Sequence, residues 1–323
     1  MATLSLRVLS HSTAIEPMLD LPTTRGSIHS VFPRAANLLL GGRLLTLHAR
    51  ETPCAPNGLV LALRANQKPL AGLQPGMAFL VERGIIAIPA ANLRLDLQQS
   101  QPWNPRPQLA SAACPPERLQ AHLAFLETYL AVHASPGGLA GLAHLDHETT
   151  MEKAGANQPL LQTAWAATQQ LLDGISRQQL SLVRQGLTML IGLGPGLTPS
   201  GDDLLTGLIA ATLVLGEALD QNVAFYQRLG AEALAIAYSR TNKLSITWIE
   251  YAGRGEVAEH LGRLFEALLQ SDTSLLEKAA QEVLSSGATS GGDLLAGIIL
   301  GGRCLIAQQN SKGERTRYDI HGQ

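Results

Sequence analysis

The pattern of apolar residues changes once along this chain, and that change constrains the fold more than any other feature. From Thr3 to about Leu97 the apolar residues form short or alternating runs, interrupted by Gly, Pro and Asn. Runs of four to eight residues at this spacing are typical of β-strands. After a Pro- and Gln-rich segment, Gln98–Gln120, the pattern becomes helical. We therefore predict an α+β protein, with a small antiparallel β-rich domain at 1–105 and a larger all-helical domain at 115–310.

Individual elements can also be predicted. The stretch "VERGIIAI" is typical of a hairpin with Gly84 in its turn, and Pro89 ends the second strand. We expect the tail at 311–323 to be loose. The predicted helices are Pro116–His133, Pro159–Gly174, Arg177–Ile191, Ser200–Leu219, Val223–Arg240, Leu244–Gly253, Val257–Gln270, Ser274–Ser285 and Ser290–Gln309.

Composition excludes several classes of protein. Hydrophobic residues make up 46% and charged residues 15%, which is typical of a folded chain rather than a disordered one. The net charge of −2 gives no basic surface for nucleic acid. Cys54, Cys114 and Cys304 are too far apart for a metal pair, so we expect free thiols in a reducing cytoplasm. We find no signal peptide and expect no membrane segment, so we predict a cytoplasmic protein.

The stretch "IGLGPGLTPSGDDLLTGLIAAT", from Ile191 to Thr212, has a partial repeat. "SGDDLLTGLI" from Ser200 is matched 90 positions later by "SGGDLLAGII" from Ser290. We predict two similarly capped buried helices, in which Asp203 and Asp293 each bond back to the capping serine at the helix start. The two helices could be a central pair with adjacent N-termini or lie in separate bundles.

Capping does not require the residues "GLGPGLTP" or the second acid, Asp202. A Gly-Pro-Gly path can direct several N–H groups at one point beside a helix N-terminus, which is how proteins hold anions. We therefore predict a phosphate or carboxylate site, with a purely structural elbow as the alternative. The stretch lacks the Lys of a Walker loop, and no βαβ unit surrounds it. The predicted binding residues here are Gly194, Gly196, Leu197, Thr198, Ser200, Gly201, Ser290 and Asp293.

The stretch "YSRTNKLSITW" supplies cations and polar groups for the same ligand. It contains Arg240, Thr241, Asn242 and Lys243 between two predicted helices. Arg and Lys are the side chains that pair with phosphate or carboxylate. The alternative is a polar turn in which Thr241 or Asn242 only caps the next helix.

The stretch "GLAHLDHETT" contains His144, Asp146, His147 and Glu148. It departs from the HExxH zinc motif because Met151 replaces the second His. We predict a surface loop there rather than a metal site.

The motifs "GLGPGLTPSGDDLLTG", "TNKLS" and "GATSGGDLLAG", in this order from Gly192 to Gly302, resemble a bacterial family typified by the AllH-type subunit of oxamate carbamoyltransferase. The resemblance implies a role in carbamoyl transfer between carbamoyl phosphate and oxamate, or in phosphorolysis of oxalurate during allantoin breakdown. It also implies that other subunits are required. Some members of the family are described as carboxylase-like, which leaves the substrate open.

Our leading hypothesis is an enzyme subunit in which Asp202, Asp203 and Lys243 are catalytic and the glycine-rich loop binds a small anion. We assign no metal and no cofactor, with Mg²⁺ on Asp202 as an alternative to its orienting a substrate amide. One competing hypothesis is a non-catalytic scaffold or substrate-binding subunit. Another is a metal-dependent hydrolase that uses Asp202, Asp203 and Asp293.

Overall fold

The computed structural model describes residues 3–19, 23–63, 69–109, 114–144 and 159–321, and for Pro69, Ala71 and 310–321 it describes the backbone alone. The chain divides into two compact units by its internal contacts. The first comprises the described residues up to Arg106 together with Val257–Glu259, and the second comprises the other described residues from Pro107 onward. A β region is therefore followed by a helical region, as the predicted α+β class requires.

The β region is a barrel rather than the simple antiparallel sheet that we predicted. The strand order is β5-β4-β3-β2-β6-β7-β8-β1-β9, and β5 also pairs with β1, which closes the sheet. β1 runs parallel to β8 and β9, and β4 runs parallel to β5, so the pairing is mixed. Closure removes the exposed edges that an open sheet would leave. The strands in the described residues are β1 (Leu4–Ser12), β2 (Thr24–Val31), β3 (Ala35–Leu40), β4 (Arg43–His48), β5 (Gly58–Leu61), β6 (Ala78–Glu82), β7 (Ile85–Ile88), β8 (Leu93–Asp96) and β9 (Gln101–Trp103).

The predicted hairpin at Gly84 is confirmed. β6 and β7 pair antiparallel, with Glu82 opposite Ile85. Arg83 and Gly84 between them both have positive φ, at 50° and 74°. Two such residues in succession suit the right-handed twist of the flanking strands. A short helix, α1 (Glu16–Leu19), follows β1.

The helical region contains all nine predicted helices. Their bounds agree with the prediction to within a few residues, except that the last helix continues to His321 through a segment we expected to be loose. The helices are α2 (Pro116–His133), α3 (Pro159–Ser176), α4 (Leu180–Leu190), α5 (Ser200–Ala218), α6 (Ala224–Arg240), α7 (Lys243–Ala252), α8 (Glu259–Leu269), α9 (Thr273–Leu284) and α10 (Ser290–His321).

Two of these helices, α5 and α10, form the centre of the helical unit. They touch backbone to backbone, because a Cβ atom on Gly207 would collide with the carbonyl oxygen of Leu294. In return, a Cβ on Gly297 would collide with the carbonyl oxygen of Leu204. Further along, Gly301 packs on Leu208, so residue numbers rise together on both helices and the pair is parallel. The two glycines lie 90 positions apart, so the sequence repeat is a local two-fold relation in space.

Each central helix is preceded by an equivalent helix. Gly201 on α5 leaves no room for a Cβ against the carbonyl oxygen of Leu190, the last residue of α4. Gly291 on α10 has the same relation to the carbonyl oxygen of Val283, near the end of α9. The pairs α4–α5 and α9–α10 are therefore two versions of one helical hairpin.

The first part of α10, Ser290–Gln309, is long and apolar enough to cross a membrane, but 72% of the apolar window is buried inside the protein. Burial of this kind is what a central helix of a folded core shows.

Candidate functional site

The N-termini of α5 and α10 meet at one end of the helical unit. The hydroxyl oxygen of Thr198, two residues before α5, lies 3.3 Å from that of Ser290, the first residue of α10. The separate-bundle alternative is therefore wrong, and the central-pair alternative is confirmed. Because the helices are parallel, the positive ends of both helix dipoles lie together.

The capping prediction for α5 is wrong. Ser200 is the first helical residue rather than the N-cap, and the N-cap position is Pro199, which has no side-chain acceptor. The carboxylate of Asp203 does not return to its own helix start: its Oδ2 accepts a hydrogen bond from the Thr198 hydroxyl at 2.9 Å. A donor from the preceding loop has therefore taken the place of the capping bond.

The capping prediction for α10 is wrong for a similar reason. The Oδ1 atom of Asp293 accepts the backbone N–H of Leu139 at 2.5 Å. Gly138 lies directly against this carboxylate, where a Cβ would collide with it. We did not predict this contact from the sequence. The signal that could have suggested it is the dipeptide Gly137–Gly138, since two glycines permit a close approach of backbone.

The two serines of the repeat face the opposite helix. Ser290 lies beside Asp203 and Ser200 lies beside Asp293, and each hydroxyl lowers the pKa of the carboxyl that it faces. Among the described residues, the Oδ2 atom of Asp293 is buried and accepts no hydrogen bond of ordinary geometry. The repeat therefore places two acids and two hydroxyls around one local two-fold axis.

Both acids of the pair are hard to ionise. The pKa of Asp203 is raised to about 7, chiefly because burial penalises its charged form; the hydroxyls of Ser290 and Thr198 oppose the rise, and the negative charges of Asp293 and Asp202 add to it. The pKa of Asp293 is raised to about 6, again chiefly by burial. Carboxyls whose pKa values approach neutrality are typical of sites that bind or move protons.

The glycine-rich loop between α4 and α5 is held by contacts with its neighbours. Gly201 N–H donates to the carbonyl oxygen of Leu193 at 2.9 Å, which closes the loop at its base. Gly192, Gly194 and Gly196 all have positive φ, at 80°, 108° and 111°. An L side chain at these positions would be strained, so the three glycines are required by the path of the backbone.

Several N–H groups of this loop have no hydrogen-bond partner in the part of the chain that the structure describes. Within the described residues, the N–H groups of Gly194, Gly196, Leu197, Thr198 and Ser200 donate no hydrogen bond to another protein group. They fall within seven consecutive positions at the N-terminus of α5. A run of unpartnered backbone donors at a helix start is the arrangement in which proteins hold small anions.

Asp202 holds the loop in place through hydrogen bonds to both of its carboxylate oxygens. Its Oδ1 accepts Gly192 N–H at 2.8 Å and its Oδ2 accepts the Thr241 hydroxyl at 2.5 Å. The side chain is buried at 1% exposure. Both of its carboxylate oxygens are therefore engaged by protein donors, so Asp202 ties the loop to the turn between α6 and α7.

That turn contacts the loop at a second point. Asn242 is the N-cap of α7, where its Oδ1 accepts the N–H groups of Leu244 and Ser245. At the same time its Nδ2 donates to the carbonyl oxygen of Leu197 at 2.8 Å. The capping role that we considered for Asn242 is confirmed, and the same side chain also positions the tip of the loop.

The two predicted cations are placed differently. The carbonyl oxygen of Arg240 packs closely against Gly192, but its side chain is exposed. Lys243 is the first residue of α7 and is half-buried. The N-terminus of α7 thus joins those of α5 and α10 around the loop, with Lys243 at its start.

In the described ranges no three His, Cys, Asp or Glu side chains are grouped as a metal-ligand set. His144 lies within hydrogen-bond distance of Glu127, with its Nδ1 atom 2.7 Å from the carboxylate Oε1. Asp146, His147 and Glu148, the other polar residues of that stretch, lie outside the described residues. The cysteines Cys54, Cys114 and Cys304 are free thiols.

Two comparisons with known families cover most of the chain. Residues 190–302, which span α5 to the contact region of α10, match the family model described as oxamate carbamoyltransferase subunit AllH. Residues 7–102 of the barrel match the model of the AllH family N-terminal domain. No solved structure matches the chain. Since both halves match in the expected order, this chain belongs to the AllH family of oxamate carbamoyltransferase subunits.

Proposed function

We propose that this chain supplies the anion-binding part of the active site of oxamate carbamoyltransferase. In this proposal it acts on oxamate or oxalurate together with carbamoyl phosphate or phosphate, in the cytoplasm and in the course of allantoin breakdown. The observation that carries the proposal is the run of unpartnered N–H groups from Gly194 to Ser200. The family description supplies the reaction to which we apply it.

The chemistry of the substrates suits this place in the fold. Phosphate, carbamoyl phosphate and oxamate are small anions, and backbone N–H groups at a helix start bind such groups with help from the dipole. Three helices, α5, α7 and α10, begin around the loop. We assign Lys243 and Arg240 as the side chains that pair with the negative charge of the ligand.

Carbamoyl transfer can be catalysed by positioning two substrates and by donors that stabilise charge on the carbonyl oxygen. It needs no covalent intermediate on the protein. The other subunits of the enzyme would complete the site.

A second candidate is a non-catalytic scaffold subunit. The observation in its favour is that the loop is firmly tied, by Asp202 and by Asn242, while Leu197 at its tip is 65% exposed. A rigid loop with an exposed apolar tip is also a good contact for a partner subunit.

Calorimetry of the full chain with phosphate, carbamoyl phosphate and oxamate distinguishes these candidates. We expect binding of at least one of the three, and we expect Gly196→Ala to weaken it at least tenfold, because the loop must move to relieve a φ of 111°. Gly76→Ala is the matched control: Gly76 also has positive φ, at 87°, with open space around it, but lies in the barrel region. Failure of the wild-type chain to bind any of the three anions would favour the scaffold and overturn the proposal.

A further inference from the structure

Asp203 and Asp293 are equivalent residues whose environments differ in one respect. Both lie in the first turn of a central helix, and both are buried. Asp203 is 5% exposed and accepts the Thr198 hydroxyl from the glycine-rich loop, whereas Asp293 is 0% exposed and lies under Gly138. Of the two, Asp203 is the acid that the glycine-rich loop contacts.

The two acids have no positively charged partner among the described residues. No described Lys, Arg or His forms an ion pair with either acid. No described residue donates a hydrogen bond of ordinary geometry to the buried Oδ2 atom of Asp293, although Ser200 at the start of α5 faces the same carboxylate. A buried acid oxygen without a donor carries a free-energy cost unless a proton or a ligand satisfies it.

The charges of described residues that shift the pKa of Asp203 are both negative. They belong to Asp293 on α10 and Asp202 on its own helix, and no described residue of α4, α6 or α7 shifts the pKa of Asp203 by its charge. Asp293 is faced by Leu139, Ser200 and Thr289, none of which is charged. The negative charge of Asp293 adds to the effect of burial on Asp203, so Asp203 keeps its proton to a pH near neutrality.

We propose that Asp203 is the acid-base group that exchanges a proton with the substrate amide nitrogen, and that Asp293 is a positioning residue that keeps Asp203 able to hold that proton. This inference rests on the proposed function and assigns the proton transfer within it. Asp202, whose oxygens both bind protein donors, is then a residue that shapes the loop rather than a catalytic one.

The step balances in both directions. Towards oxalurate, Asp203 accepts a proton from the amide nitrogen of oxamate while that nitrogen forms a bond to the carbonyl carbon of carbamoyl phosphate. The bond from that carbon to the phosphate oxygen breaks, phosphate leaves with the electron pair, and the proton passes from Asp203 to water. In phosphorolysis, protonated Asp203 returns the proton to the departing nitrogen as phosphate attacks the carbonyl carbon. A carboxyl with a pKa near the working pH suits both roles.

The test uses the complex of this full chain with the other carbamoyltransferase subunits. We expect Asp203→Asn to lower kcat for carbamoylation of oxamate about 100-fold or more, as loss of an acid-base group does, with little change in KM. Calorimetric binding of phosphate to the isolated chain should persist in this variant. Asp272→Asn is the matched control, because Asp272 is the exposed N-cap of α9 and Asn preserves capping.

Two further variants test the proton through the pH profile. Carbamoylation needs ionised Asp203, so activity should fall as the pH drops below about 7. Asp293→Asn removes a charge that raises the pKa of Asp203, so this acid limb should move to lower pH. Thr198→Val removes a hydroxyl that lowers that pKa, so the limb should move to higher pH. A merely structural role would not move the limb in opposite directions.

The outcomes separate the two proposals. If the wild-type complex is active, but Asp203→Asn retains kcat or neither second variant shifts the acid limb, the acid-base assignment is overturned while the proposed function stands. If the wild-type chain binds none of the anions and the complex transfers no carbamoyl group, the proposed function fails and the assignment fails with it.

Discussion

The hairpins α4–α5 and α9–α10 share a framework and differ in what connects the helices. Gly194 and Gly287 both have positive φ and both lie against the serine that begins the following helix. Ser290 follows Gly287 by three positions in the sequence, whereas Ser200 follows Gly194 by six. The additional length is the exposed tip of the glycine-rich loop, and it occurs in the hairpin that also carries Asp202 where the other has Gly292.

This difference separates the structural from the functional residues. What the two hairpins share, the glycine contacts and the paired acids, builds the central pair of helices. What only the first hairpin has, the longer loop and Asp202, creates the unpartnered N–H groups and holds them in place. Substitutions in the two hairpins test this division.

The largest effect should come from breaking the shared framework. Gly207→Ala and Gly297→Ala each place a Cβ against a carbonyl oxygen of the other helix. A main-chain atom cannot move aside as the end of a flexible side chain could, so each substitution should lower the free energy of unfolding by about 3 kcal/mol. Urea denaturation measures both. Gly262→Ala on α8 is the control: the nearest atom to its Cβ would be 3.8 Å away, and Ala should raise stability by up to about 1 kcal/mol. Unequal costs at Gly207 and Gly297 would contradict the two-fold relation.

The next effect concerns Asp202 and its counterpart. Asp202→Asn replaces two acceptor oxygens with one, so either the N–H of Gly192 or the hydroxyl of Thr241 loses its hydrogen-bond partner. This loss should lower the free energy of unfolding by about 2 kcal/mol. Gly292→Ala should be neutral or stabilising, because its Cβ would meet only ordinary contacts at 3.5 Å and beyond. Thermal unfolding of both variants checks this. Equal effects would mean that Asp202 does not organise the longer loop.

The predictions made from sequence were most successful where periodicity decides the structure. The helices from Pro116 onward and the Gly84 hairpin depend on local patterns, and both are present. Barrel closure could not be predicted, because it depends on the pairing of β1 with β5, which are distant in sequence. The structure brings the motif positions of the site together, but the hydrogen-bond partners that we predicted for Asp203 and Asp293 were wrong. Capping rules consider one helix at a time, whereas here Thr198 and Leu139 reach the acids from outside the helices.

A smaller effect should appear in the pH dependence of stability. The unfolded chain releases the proton of Asp203 near pH 4, whereas the folded chain keeps it to about pH 7, so this residue makes the folded state less stable as the pH rises through that interval. Asp203→Asn removes this pH-dependent loss of stability, because Asn does not ionise. At pH 8 the variant should be more stable than wild type by at least about 1.4 kcal/mol, the value of one pKa unit, with the advantage vanishing near pH 4. Calorimetric melting at both pH values measures it. A variant less stable than wild type at pH 8 would indicate a structural acid.

The smallest effect compares two helix caps. Asn242→Ala and Asp272→Ala each remove an N-cap acceptor and should each cost about 1 kcal/mol of stability. Only Asn242 also holds the Leu197 carbonyl, so only Asn242→Ala should weaken phosphate binding to the full chain. Calorimetry of both variants measures this. Equal phosphate affinities would show that the loop keeps its shape without the turn between α6 and α7.

The backbone contact of α5 with α10 has a consequence for protein engineering. Because no side chain separates the helices at Gly207 and Gly297, the main chain alone sets how far apart the two acids are. Leucines elsewhere in the core can then be exchanged and can repack without altering that spacing. The central pair is therefore a scaffold onto which loops of other lengths and chemistries can be grafted at either hairpin while the two acids remain in register.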